Sequence, residues 1–563
     1  MEPHPYGWLS VAPPLVAIVL AIATRRAALS LIAGIFCGAL LTNHGNPFGA
    51  VYDTLEVHLW PTVTDPGKLR VFSFTLLMGA TIGVICRSGG MLGLISLISP
   101  LARTRRGGQL TTWGLGMIIF FDDYANTILL GGTLRPVCDR LRISREKLAY
   151  LVDSTAAPVA ALSLLSTWVA VEIDYIRSGI ETLPAGSGVT AIDLFLGSIP
   201  FRFYILMSLA FIFILAWTGR DFGPMLAAEK ERLKTDHPPE SVSSGTAALD
   251  QDLASVQPAH WAHAIVPIVV TLGTVMALLY TTGKQAMMEV LPDGDFGIRE
   301  ILGAAASSFS LQYGALAGLT TAVLMGRVAG VLDRHAVLDA AAKGARVVLP
   351  AIAILWTASA LSRLTSDKSY EGEPSTTAYQ FKDHRLYTGV FLTGILTDGE
   401  APTESGTLST TAKLMPTVVF LLAAALSFST GTSFGTMGIL LPMVVALTYS
   451  LLAAGGVTNT AENPILLASV GAVLAGAVFG DHCSPISDTT ILSSQSCACD
   501  HIAHVVTQLP YAATVAVVSI LCGTLPLGWG VSVWLLLPLQ LAALCVCVAL
   551  LGSRAEDLAE AAA

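Results

Sequence analysis

The sequence predicts an all-α polytopic membrane protein made of two inverted repeats, each with a re-entrant helical hairpin and a broken transmembrane helix. Three observations predict it. Of the 563 residues, 53% are hydrophobic and 13% charged, with a mean hydropathy of +0.66; a soluble chain carries roughly a quarter charged residues. Apolar stretches long enough to span a bilayer recur along the whole chain. Several of them are interrupted by polar clusters, at corresponding places in the two halves.

The net charge of −9 sits mostly in a few loops, and no strongly basic patch exists to hold nucleic acid. The expected macromolecular partner is the lipid bilayer. Five of the nine cysteines (Cys37, Cys86, Cys522, Cys545, Cys547) lie in apolar segments, where a thiol packs as a small hydrophobe. Their spacing matches no disulfide framework. Met1 to Gly7 lacks a basic region and a cleavage site, so the first apolar helix is expected to stay with the protein.

In chain order, the candidate spans of the first half are 8–24 and 27–42, then 71–99 with an interruption at Arg87-Ser-Gly-Gly. Segment 109–134 follows, interrupted at Phe121-Asp-Asp-Tyr-Ala-Asn126, then 147–172 and 199–217. Residues 219–260 are polar and without helical periodicity, which reads as a mostly disordered cytoplasmic linker. The chain therefore divides into a first repeat, 1–218, the linker, and a second repeat, 261–563, that includes a C-terminal helix. Spans of the second repeat are 261–280, 300–325, 345–363, 412–447 with a break near 429–435, 463–494 with a break at 480–490, 508–528 and 530–551.

Positive residues cluster at 25–26, 103–106, 135–147 and 220–234, which places those loops in the cytoplasm. Segment 109–134 lies between two of them, so it reads as a hairpin that enters and leaves on one side. Eleven crossings and two hairpins then put the N-terminus outside and the C-terminus inside. Ala157-Pro-Val-Ala-Ala-Leu-Ser-Leu-Leu-Ser-Thr167 also parallels Ser484-Pro-Ile-Ser-Asp-Thr-Thr-Ile-Leu-Ser-Ser494 in its proline, aliphatic positions and terminal hydroxyls.

The four polar breaks are expected to converge near the midplane. The first hairpin tip offers Asp122, Asp123, Asn126 and Thr127, and the first broken helix offers Ser154 and Thr155. The second tip offers Thr430, Thr432 and Ser433, and the second break offers Asp481, Ser484, Ser487, Asp488 and Thr489. Carboxylates, hydroxyls and freed carbonyls are what a hard cation such as Na⁺ or Li⁺ prefers. Acids at bilayer depth cost about 2.5–3.5 kcal/mol each on insertion scales, so they are kept for function. The plainer readings are helix capping for the aspartates and small-residue packing for the second tip. Asp153 opens the first break, 153–158; its plainer reading is a pairing with an arginine or lysine of the 140–147 loop. His482, Cys483, Cys497, Cys499, His501 and His504 suggest a metal cluster, but their spacing matches no standard zinc pattern. Ser, His and Asp within 481–488 lack a nucleophile elbow, so enzyme chemistry is not expected.

Four segments carry a family resemblance: Phe-Phe-Asp-Asp-Tyr-Ala-Asn-Thr (120–127), Ile-Ser-Arg-Glu-Lys-Leu-Ala-Tyr-Leu-Val-Asp-Ser-Thr-Ala-Ala-Pro-Val-Ala (143–160), Gly-Thr-Ser-Phe-Gly-Thr-Met-Gly (431–438) and Gly-Asp-His-Cys-Ser-Pro-Ile-Ser-Asp-Thr-Thr (480–490). The chain resembles the NhaC-type Na⁺/H⁺ antiporters of the ion transporter superfamily. The resemblance implies a homodimer with scaffold and transport domains and an elevator-type motion. It departs at a charged insertion, 363–385, expected outside the cell. The combined expectation is a multi-pass inner-membrane transporter exchanging Na⁺ (or Li⁺) for H⁺. Asp122, Asp123, Asp481 and Asp488 would hold Na⁺, and Asp481 or Asp123 would exchange the proton. Na⁺ and H⁺ are then cargo, and no cofactor is expected. The alternative is a Na⁺- or H⁺-coupled carrier of a small organic acid or amino acid.

Overall fold

The computed structural model describes residues 4–560 except 25, 99–101, 121, 165, 182, 184–188, 236–258, 291–296, 298–300, 302–303, 366–383, 389–390, 392–407, 458–461 and 486. Among the described residues all regular structure is helical, apart from one antiparallel bridge between Asp221 and Ser553. Hydrocarbon offers no hydrogen bonds to a backbone, so an apolar run satisfies itself as a helix.

The first half comprises α1 (Ala12–Thr24), α2 (Ala27–Thr42), α3 (Pro66–Arg87), α4 (Gly90–Ile98), α5 (Arg105–Ile118), α6 (Asp123–Arg140), α7 (Arg145–Leu162), α8 (Thr167–Ile180), α9 (Ala191–Ser198) and α10 (Phe203–Thr218). Three short turns of helix cover 47–64 between α2 and α3. The pair α5–α6 is the first hairpin. The pair α7–α8 is the first broken helix, bent by 51°.

A helix α11 (Gly223–Lys234) then begins the second half's list. It is followed by α12 (Ala262–Val290), α13 (Ser307–Val328), α14 (Arg334–Val347), α15 (Leu349–Thr365), α16 (Thr410–Thr430), α17 (Ser433–Ala454), α18 (Pro464–Cys483), α19 (Asp488–Ser496), α20 (His501–Ser519), α21 (Val533–Leu551) and α22 (Ala555–Glu560). The order of the first half recurs: a hairpin, α16–α17, and a broken helix, α18–α19. Each arm of the second hairpin is itself long and apolar enough to cross a bilayer, since about 20 residues at 1.5 Å each reach 30 Å. Among the described residues seven helices meet that test, and the bent pairs α7–α8 and Ala191–Phe201 with α10 add two more.

Two helices depart from the hydropathy reading. Helix α11 lies where no helical periodicity was expected; it buries Met225, Glu229 and Arg232. Residues 236–258 of the expected linker lie outside the described residues. Helix α14 packs its small residues against α3: a Cβ on Gly79 would sit 2.7 Å from the Gly344 carbonyl, and one on Gly83 would sit 2.2 Å from that of Ala340. Small residues let helix backbones approach where lipid gives no hydrophobic drive. Most of the charged insertion, 366–383, lies outside the described residues; His384 just after it meets Asp53 Oδ2 with Nδ1 at 2.6 Å.

Candidate functional site

Asn126, in the first turn of α6, closes the first hairpin. Its Nδ2 donates to the carbonyls of Gly116 (2.9 Å) and Ile119 (3.1 Å) in and after α5, and to that of Thr155 (3.4 Å) on α7. Its Oδ1 is buried with no hydrogen-bond partner among the described residues. Asp122 and Asp123 are both buried at the tip. Asp122 Oδ2 accepts from Thr167 Oγ1, at the start of α8, over 3.0 Å. Thr127 turns its hydroxyl back to the Asp123 carbonyl, and Thr155 does the same to Leu151, so both are engaged within their own helices. Ser154 is buried beside Thr155.

The break between α7 and α8 is sealed from both sides. Ser166 Oγ donates to the Ala160 carbonyl and accepts from the backbone of Trp168 and Val169, capping α8. Arg202, fully buried, donates to the Ala161 carbonyl and to Glu172 on α8 at 2.9 Å.

On the opposite side, Gly431 takes a left-handed φ of 65° and ends α16, and Thr432 caps α17. Ser427 and Ser433 both donate to the Ala477 carbonyl of α18, over 2.6 and 3.2 Å. The side chain of Thr430 lies outside the described residues. Phe434 packs on Trp168 with ring centroids 4.9 Å apart, which joins the second tip to the start of α8.

At the second break, Asp481 Oδ2 accepts from Thr489 Oγ1 at 3.2 Å, and Thr489 Oγ1 lies 2.9 Å from Ser487 Oγ. Ser487 caps α19 and Ser484 is buried at the turn. The Asp488 side chain lies outside the described residues. Helix α19 then reaches the first half: Thr490 and Ser493 donate to Asp153 at 3.2 and 3.1 Å, and a Cβ on Gly131 of α6 would strike Ser496. The four breaks thus form a closed ring, from the first tip through α8, the second tip, α18, α19 and α7 back to α6.

Asp153 departs from the plainer reading of a pairing with the 140–147 loop. Lys147 pairs instead with Asp221 at 2.5 Å, and Arg145 with Asp139 at 3.5 Å and the Ala498 carbonyl. Asp153 accepts from Thr490, Ser493 and Gln508, the last at 2.6 Å, and lies 3.4 Å from His504 Nε2. No lysine or arginine among the described residues forms an ion pair with it. Reading the chain by segments missed Gln508, whose partner Asp153 lies 355 positions away, and did not bring His504 to Asp153 or Thr167 to Asp122. The His/Cys group does not assemble: His501 meets Ser494 and the Pro485 carbonyl, and among the described residues no three His, Cys, Asp or Glu side chains are placed to hold a metal.

Outside the membrane segments, α11 packs against the start of α5 and the turn before α7. Glu229 is fully buried, bonded to Arg105 at the start of α5 and to the Ser144 backbone N–H at 2.7 Å. Burial holds its carboxyl above the ordinary glutamate value, with the Arg105 guanidinium acting against that rise.

Comparison with known proteins points the same way. The sequence model described as the Na⁺/H⁺ antiporter family matches residues 159–369 and 402–529. An uncharacterized protein of Haemophilus influenzae is 32% identical over 518 residues, 90% of this chain and 88% of that one. The malate-2H⁺/Na⁺-lactate antiporter of Bacillus subtilis is 39% identical, over only 92 residues, 16% of this chain and 17% of its own. The crystal structure of the Alcanivorax borkumensis YdaH transporter shares the fold with a TM-score of 0.52 at 14% identity, covering 96% of this chain and 98% of that one.

Proposed function

Because this chain belongs to the Na⁺/H⁺ antiporter family, we propose that it exchanges Na⁺ or Li⁺ for H⁺ across the bacterial inner membrane. One observation carries the reading: buried carboxylates and hydroxyls of both halves meet in one ring of helix breaks. Asp122, Asp123, Asn126, Asp481, Ser484 and Asp488 are the proposed cation ligands. The unpartnered Oδ1 of Asn126 favours this set, because a buried acceptor without a donor costs about 1–3 kcal/mol unless a ligand satisfies it. Carboxylates with hydroxyl and carbonyl oxygens are the hard oxygen donors that Na⁺ or Li⁺ prefers.

An elevator motion in a homodimer is the accompanying proposal. The breaks belong to α5–α8 and α16–α19. Polar ties such as Lys68–Asp174 at 2.6 Å and Arg177–Ser308 at 2.8 Å connect that group to α3 and α13. The second reading, coupled transport of a small organic acid, is favoured by the local similarity to the malate/lactate antiporter.

Ligand-induced thermal stabilisation separates the two. A ligand that binds only the native state at a hundred times its dissociation constant adds about 2.7 kcal/mol. NaCl or LiCl alone should raise the melting temperature of the purified protein relative to choline chloride at equal ionic strength. Stabilisation by malate or lactate with none from the cations alone would replace the first reading with the second.

A further inference from the structure

We propose that Thr167 is a positioning residue for the transported ion: its hydroxyl holds Asp122 from outside the hairpin tip and so aims that carboxylate. The proposal deepens the antiport reading above and rests on the place of Asp122 in its ligand set.

The two halves repeat one local arrangement. Helix α8 starts at Thr167 directly after its serine cap, Ser166, and α19 starts at Asp488 directly after its own, Ser487. In each, a buried threonine of the first turn donates to one oxygen of a buried aspartate on another segment. Thr167 Oγ1 reaches Asp122 Oδ2 at 3.0 Å, and Thr489 Oγ1 reaches Asp481 Oδ2 at 3.2 Å. Sequence register pairs Thr167 with Ser494 instead. Ser494, however, turns to the Ile491 carbonyl and lies 3.1 Å from His501 Nδ1. The equivalence of Thr167 and Thr489 is therefore one of geometry, which alignment of the repeats hides.

The start of α8 is a firm base for such a hydroxyl. Ser166 bonds the Ala160 carbonyl at the end of α7, Thr167 bonds the first tip, and Trp168 packs on Phe434 of the second tip. Further along α8, Glu172 is paired with Arg202, which also donates to the Ala161 carbonyl. A β-branched side chain has few χ1 rotamers, so the direction of the hydroxyl follows the backbone of α8. A carboxylate held by one oxygen has less freedom left to lose when an ion arrives at the other, and preorganisation of that kind improves affinity. The hydroxyl does this as a neutral donor, so the negative charge of Asp122 stays available to a cation.

The plain alternative is that Thr167 only closes the tip against α8. The two roles differ in what they change: aim alters the concentration at which the ion saturates transport, whereas loss of structure removes folded or working protein.

The test is proton flux in proteoliposomes of the full-length protein against NaCl concentration, for wild type, Thr167→Val and Thr167→Ser. Thr167→Val should raise the half-saturating NaCl about tenfold or more, the scale of losing a donor to a charged acceptor, and leave the maximal rate within about twofold. Thr167→Ser keeps the hydroxyl and should stay near wild type. An unchanged half-saturation in Thr167→Val overturns the proposal, as does a fall in maximal rate alone. Should Thr167→Val not fold, Thr167→Ala carries the same comparison; failure of both to fold, with Thr167→Ser folded, makes the hydroxyl structural and also overturns it. If neither NaCl nor LiCl drives flux in the wild type, the antiport reading fails separately. The same three proteins are then compared with malate and lactate: a raised half-saturation in Thr167→Val, restored in Thr167→Ser, keeps the positioning role, and its absence removes it.

Discussion

Replacing Gly480 by alanine adds one methyl group to the seam between α16 and α18. That methyl would lie 2.4 Å from the Ala424 carbonyl oxygen and 2.6 Å from both the Phe428 nitrogen and Ser427 Cβ. Two of those atoms are backbone, so no side chain can swing away, and the hairpin arm must move out by about 1 Å. Overpacking of this kind costs about 1–3 kcal/mol. The outward shift also lengthens the bonds from Ser427 and Ser433 to the Ala477 carbonyl, at about 1 kcal/mol each. Alanine's better helix propensity returns about 1 kcal/mol, which leaves a net destabilisation of about 2–4 kcal/mol. Gly273 of α12 is the control, because nothing lies within 4 Å of a Cβ built there. Gly273→Ala should be neutral, or stabilising by up to about 1 kcal/mol. Thermal unfolding of the two purified variants against wild type decides the matter. Equal melting temperatures for Gly480→Ala and Gly273→Ala would refute the close seam and the placement of the second tip against α18.

Three further outcomes follow from other contacts. Glu172→Gln or Arg202→Met alone should destabilise by about 3–5 kcal/mol, because each strands a partner that is fully buried; the double variant should recover part of the loss, and a thermal double-mutant cycle reads the coupling. Asp481→Asn should cut cation-driven exchange tenfold or more, roughly 1.4 kcal/mol or more of lost interaction, while its elution profile and melting temperature stay those of a folded protein; full activity would remove Asp481 from the ligand set. With the Glu229 pKa raised, the native state binds that proton more tightly than the unfolded chain does, so the associated stability is fully present below the ordinary glutamate range and is lost as pH rises through the raised folded value. Protection of the α11 and α22 amides against deuterium exchange, corrected for the base-catalysed intrinsic rate, should therefore fall from mild acid to neutral pH, and Glu229→Gln should flatten that fall.

The hairpins and broken helices were legible because each couples a long apolar run to a sudden cluster of hydroxyls, acids and glycine or proline. Hydropathy reads that contrast directly, as at Ser429-Thr-Gly-Thr-Ser433 and at 480–490. Helices without a long apolar run were not legible by the same means. In α11 the buried positions include Glu229 and Arg232, so burial there follows charge pairing and not apolar periodicity. Asp153 shows the other limit. Its nearest basic residues in sequence suggested an ion pair, whereas the fold commits Lys147 to Asp221 and brings in Gln508 from the far end of the chain. Proximity along the chain ranks candidate partners poorly once helices from two repeats interleave. Thr167 was visible in the repeat, but only as a terminal hydroxyl; its bond to Asp122 depends on how α8 enters against the first tip.

The central claim is that the ring of helix breaks exchanges a small cation for a proton. Proton flux in proteoliposomes under an imposed pH gradient tests it most directly, with NaCl, LiCl or KCl as the sole added solute and Asp481→Asn protein in parallel. Collapse of the gradient on NaCl or LiCl, absent in Asp481→Asn vesicles, is the predicted result. A gradient that holds under every cation and collapses only when an organic acid or amino acid is supplied would contradict the account.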